Sequence, residues 1–214
     1  MKRKFLSVAM TVVMAVVCLT GCSGNFSKNS FISAARKYGM KEIEDDMELR
    51  DIDIDRENSN SAYYVEKDYE RMQFLFRGLE PDAEVKELVK AVEIIGCNDN
   101  QVSCSTNAYY LTAKDSKNAK KIYKALATQI VNPGESETYL DEGEKDGITY
   151  TIGYFIFDDI TDANDRIEAV YGVYLKDDKV IWIYSVYDST LENSCFESFC
   201  KSLGLVSPYT LKET

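Results

Sequence analysis

The chain has 214 residues, 36 acidic against 25 basic, and a formal net charge of −11 at neutral pH. A balance this negative, with no long Lys/Arg cluster, argues against nucleic acid as a partner, since phosphate binding needs a concentrated basic footprint. There is no histidine, which removes the usual general base near neutral pH, the usual zinc ligand and any Ser-His or Cys-His nucleophile pair. There is also no Walker loop, no G-x-S-x-G and no C-x-x-C.

The chain opens with Lys2, Arg3 and Lys4, followed by an apolar run from Phe5 to Leu19 and then Leu19-Thr20-Gly21-Cys22. A basic n-region, a short apolar core and small residues before a cut make a secretory signal. The run is near the lower limit for spanning a bilayer, which takes roughly 20 apolar residues, so an ordinary secretory signal and an uncleaved anchor helix are the alternative readings. Leu-Thr-Gly-Cys resembles the lipobox of bacterial lipoprotein precursors. That resemblance covers residues 1–22 alone. It implies diacylglycerol on the Cys22 thiol, cleavage between Gly21 and Cys22, and anchoring by acyl chains such as palmitate on the outer face of a membrane. In a two-membrane cell that could be the outer membrane. Two chains anchor stably where one would be marginal. Residues 1–21 are then removed, and 22–30 form the lipidated cysteine and a small, polar tether. The domain spans 31–214. Without Lys2, Arg3 and Lys4, 22 basic residues face 36 acidic ones, a net charge of −14.

Phe31, Ala34, Ala35 and Tyr38 share one helical face, which predicts a helix over about 30–38, capped by Asn29 or Ser30 and stopped at Gly39. Asp51-Ile52-Asp53-Ile54-Asp55 alternates as an exposed strand does. The Tyr- and Val-rich stretch 62–76 predicts one long strand or a hairpin around Lys67-Asp68. After Pro81, the stripe Val85, Leu88, Val89 and Val92 predicts a second helix ending at Gly96. Residues 102–112 read as a strand. Asp115 or Ser116 caps a helix with the stripe Ala119, Ile122, Tyr123, Leu126 and Ile130. Residues 134–147 read as an exposed loop.

Ile148 to Phe157 is the next predicted strand. Glu168–Lys176 and Lys179–Tyr187 form a hairpin across Asp177-Asp178, with Val173 opposite Trp182 and Tyr171 opposite Tyr184. Ser189-Thr190-Leu191-Glu192 is a capping box for a last helix with the stripe Phe196, Phe199, Cys200 and Leu203, ended by Gly204. Residues 31–40 echo 196–205 in their Phe, Ser and Gly positions. Helices mixed with sequential antiparallel strands indicate an α+β fold: an antiparallel sheet with about four amphipathic helices against it and a C-terminal β-hairpin followed by a helix.

Besides Cys22, the domain keeps Cys97, Cys104, Cys195 and Cys200, an even set that an exported protein can oxidise. Cys195 and Cys200 are five apart. On a regular helix they lie on different sides with about 7.5 Å of rise, too far for a bridge to each other. If all four pair, Cys97 and Cys104 each bond to one of them. The opposing reading is buried free thiols, since cysteine packs as a small hydrophobe.

Asp51, Asp53 and Asp55 offer calcium-type oxygens. An EF-hand fails here, because Arg56 stands where Gly is required and Ala62 where Glu is required. A solvated acidic edge is the plainer explanation, so no metal and no cofactor is assigned. Tyr171, Trp182 and Tyr184 fall on one face of the hairpin with Val173, Leu175 and Val180. They are core residues or, if the face is open, a surface for an envelope protein or glycan. The sequence therefore reads as a membrane-anchored surface lipoprotein with a non-catalytic binding or scaffolding domain. The alternatives are an envelope enzyme using carboxylate or Lys chemistry and a small-ligand-binding lipoprotein.

Overall fold

The computed structural model describes residues 26–44, 60–77, 83–96, 103–129, 137–158, 166–188 and 195–213. Its elements run α1 (Lys28–Tyr38), β1 (Lys41–Glu42), β2 (Asn60–Glu66), α2 (Tyr69–Arg77), β3 (Val85–Gly96), β4 (Ser103–Ala113), α3 (Ser116–Gln129), β5 (Glu137–Lys145), β6 (Ile148–Asp158), β7 (Arg166–Lys176), β8 (Lys179–Asp188) and α4 (Cys195–Leu203), closed by a 3₁₀ turn over Pro208–Glu213. The strands form one sheet in the order β1-β2-β3-β4-β8-β7-β6-β5. Every pairing is antiparallel except the short β1–β2 contact. The fold is α+β, mostly sheet, with the expected C-terminal hairpin and helix.

Both faces of the sheet are apolar because the central strands alternate between two apolar sets. On β7, Val170 and Tyr174 join one core, while Ala169, Val173 and Leu175 join the other. The first core is filled by α1, α4 and the 3₁₀ turn, with Phe31 against Phe199 at 5.0 Å between ring centroids. The second is filled by Ala119, Ile122 and Leu126 of α3 and by Met72 of α2. The helices are thus divided between the two faces. The two look-alike segments lie side by side, and both end on a left-handed glycine. Gly39 has φ 101° and Gly204 φ 70°, and the amides of Met40 and Leu205 close back on Ala35 and Cys200.

Four sequence expectations are corrected. First, the domain starts earlier than residue 31. Phe26 is only 6% exposed and Ser27 caps α1, so the stretch 26–30 belongs to the folded domain rather than to a tether. Second, stretch 62–76 is neither one strand nor a hairpin. After β2, Asp68 accepts the amides of Glu70 and Arg71 at 2.8 and 3.2 Å and starts α2; the apparent turn is a helix cap. Third, Val85–Gly96 is a strand paired on both sides, not a helix. Where both faces are buried, the apolar positions satisfy the helical spacing as well as the strand spacing, and long-range pairing decides. Fourth, 137–145 is a strand rather than a loop, joined to β6 through Asp146 (φ 54°) and Gly147 (φ 72°). That Asp-Gly is the usual two-residue hairpin signal, hidden in an acidic stretch. The predicted strand at Asp51–Asp55 lies outside the described residues.

Candidate functional site

α3 begins immediately after β4 and crosses β4, β8 and β7 at the sheet end that carries the β7–β8 turn. There it covers Leu111, Val173, Leu175 and Val180. The next residues along the same face are paired by register: Tyr109 with Trp182, and Asn107 with Tyr184, which in turn pairs with Tyr171. The expected register of the hairpin, Val173 opposite Trp182 and Tyr171 opposite Tyr184, is the observed one.

These side chains form a continuous aromatic row. Tyr109 stacks on Trp182 at 4.9 Å and 18°, Trp182 meets Tyr184 at 5.0 Å, and Tyr184 stacks on Tyr171 at 6.1 Å and 20°. Phe155 closes the row edge-on to Tyr171 at 5.5 Å. At the other end, the Lys90 ammonium lies 5.7 Å from the centre of the Tyr109 ring, within cation–π reach. Tyr109 and Phe155 are buried, whereas Tyr171, Trp182 and Tyr184 remain partly exposed. Burial, and then the neighbouring Tyr184, push the Tyr171 hydroxyl above the ordinary tyrosine range, so it stays protonated and can donate a hydrogen bond.

The structure brings Tyr171, Trp182 and Tyr184 together as the sequence expects and adds Tyr109, Phe155 and Lys90. Tyr109 could not be placed from sequence, because its neighbourhood depends on β4 pairing with a strand more than 70 residues away. At the far end of α3 a groove of about 680 Å³ opens between Tyr123, Lys124 and the β5–β6 hairpin residues Glu142, Glu144 and Tyr150. Tyr123 fixes its wall through a 2.8 Å hydrogen bond to the Thr151 hydroxyl.

Several sequence candidates fall elsewhere. Cys195 and Cys200 are buried free thiols on α4. Burial pushes both up, Cys200 to about 12, which suppresses the reactive thiolate. Cys104 belongs to β4, while Cys97, the lipobox Cys22 and the acidic trio Asp51, Asp53 and Asp55 lie outside the described residues. Among the described residues, no three His, Cys, Asp or Glu side chains converge as a metal site would require, and no helix is long and apolar enough to cross a membrane. Among the described residues, Lys114, Lys179 and Lys212 are raised, each first of all by a carboxylate partner: Glu84, Asp178 and Glu168 respectively. Such ammonium groups hold their proton and are poor bases.

One buried ionisable group was invisible to sequence reasoning. Glu93 is 2% exposed. Its carboxylate accepts the Tyr38 hydroxyl at 2.6 Å and the Cys195 backbone amide at 3.0 Å. It joins α1 to the start of α4 and neutralises an otherwise unpaired first-turn amide. No protein-family model, curated protein or solved structure matches this chain.

Proposed function

We propose that the chain is an exported lipoprotein, anchored through Cys22 to the outer face of a membrane, whose α+β domain binds an envelope protein through the aromatic row Tyr109-Trp182-Tyr184-Tyr171. The anchor rests on the lipobox and the apolar signal before it. The observation carrying the binding role is a row of four contacting rings, three of them partly exposed, beside a helix that covers only part of its sheet face. Tyr and Trp provide large, rigid contact area with polar tips, the chemistry enriched at interface hot spots.

A protein is taken as the partner rather than a glycan because partly exposed tyrosine and tryptophan side chains with polar tips are the residues enriched at protein interface hot spots. The groove at the end of α3 is the observation that keeps a small-ligand role in view; a ligand there would raise the melting temperature of the protein and quench the fluorescence of neighbouring tyrosines.

The test is in-cell photo-crosslinking. A photoreactive phenylalanine at Tyr184 should yield a discrete protein adduct in intact cells, whereas the same group at Lys201, exposed on α4, should not. Trp182→Ala combined with the Tyr184 probe should abolish the adduct while the protein accumulates at its normal level. Equal adducts at both positions, or none at Tyr184, would refute the reading.

A further inference from the structure

α3 carries Lys117, Lys120, Lys121 and Lys124 and no acidic residue, inside a chain whose net charge is −11. The four lysines recur at i, i+3, i+4 and i+7. They form one stripe on the side of the helix opposite Ala119, Ile122 and Leu126, which face the sheet. A carboxylate pattern would normally intersperse such a stripe; here Asp115 caps the helix start and Glu142 and Glu144 bound its far end.

The placement of this stripe is as informative as its charge. α1, where the chain enters the domain, starts at the same end of the sheet as α3. Lys28 reaches Glu87 near the start of β3 at 3.2 Å. Lys114, just before α3, pairs with Glu84, just before β3, at 2.6 Å, and Lys86 donates to the Lys114 carbonyl at 2.7 Å. Phe26 is already core, so only Ser23, Gly24 and Asn25 separate it from Cys22. Four residue steps reach at most about 14 Å.

We propose that the lysine stripe of α3 docks on the anionic phosphate headgroups of the bilayer that holds the anchor, an inference that rests on the lipoprotein reading above. A short tether holds this end of the sheet against the headgroups. The rest of the domain is acidic and is repelled by an anionic surface; α1 also lacks acidic residues, but its Lys28 and Arg36 are paired to Glu87 and Glu42, so the stripe of α3 is the basic helix face offered to the lipid.

The mature chain with its native anchor is reconstituted in vesicles of phosphatidylcholine alone or with about one-third phosphatidylglycerol. Amine labelling of the four α3 lysines is then measured by peptide mass spectrometry against Lys201. Labelling of the stripe should fall about threefold or more with the anionic lipid while Lys201 is unchanged, and should recover at about 1 M salt, where screening acts within about 3 Å. Equal labelling in both vesicles overturns the proposal. So does protection by added soluble polyphosphate with none by the anionic lipid, which would assign the stripe to an anionic polymer. The mass of the Cys22 peptide separately reports the lipid. If Cys22 is bare, the anchored reading fails, and protection of the stripe is still scored with the same protein mixed with the vesicles.

Discussion

Replacing Glu93 with alanine should be among the most damaging single substitutions in the domain. The carboxylate is 2% exposed and accepts two hydrogen bonds, from the Tyr38 hydroxyl at 2.6 Å and the Cys195 amide at 3.0 Å. Hydrogen bonds to a charged acceptor contribute about 1.5–3 kcal/mol each, and removing the acceptor leaves both donors unsatisfied. The expected loss from two such bonds is about 3–5 kcal/mol. For a domain of this size that corresponds to a fall in Tm of about 6–20 °C. Urea unfolding followed by circular dichroism measures it. Glu93→Gln keeps one acceptor oxygen and should lose only about 1–2 kcal/mol. A Glu93→Ala protein within about 0.5 kcal/mol of the parent would show that the carboxylate does not link α1 to α4.

Three further outcomes follow from the packing. Cys195 and Cys200, raised by burial, should resist a thiol reagent at mild alkaline pH in the folded protein. Both should react once urea is added without reductant; failure to react in urea would mean that they are oxidised. Gly172→Ala should lose about 1–3 kcal/mol, because a Cβ there would meet the Tyr174 hydroxyl within hard contact. That hydroxyl is held by a 2.7 Å bond to the Val206 carbonyl and cannot yield; unchanged stability would contradict this. Stability should also fall as pH rises above about 10. Tyr63, Tyr110, Tyr154 and Tyr174 are raised, by burial first, so the unfolded chain releases these protons at lower pH than the folded one. The stabilisation is complete below the unfolded tyrosine range and is lost above it. The share of tyrosinate absorbance that belongs to these four buried rings should therefore appear together with unfolding rather than before it.

Elements whose signals are local were legible in the sequence. The β7–β8 hairpin came out in register because a two-residue turn fixes which residues face each other. α3 came out because one apolar stripe and a cap agree. β3 did not, because a strand buried on both faces imitates a helix stripe. β5 did not, because its acidic composition masked an Asp-Gly turn. Three members of the aromatic row were readable from the hairpin alone, while Tyr109 and Lys90 required the β3–β4–β8 pairing. Glu93 was unreadable for the same reason: in a helix it would be one more surface carboxylate, and only the strand turns it under α4.

Trp182 is the only tryptophan in the chain, so acrylamide quenching of its fluorescence reports directly whether the aromatic row can be touched. A partner surface predicts quenching clearly faster than for a core indole and slower than for the urea-unfolded chain, as befits a partly exposed ring stacked on Tyr109. Quenching as slow as for a fully enclosed indole would mean that the row is simply core, and the binding role assigned to it would fall.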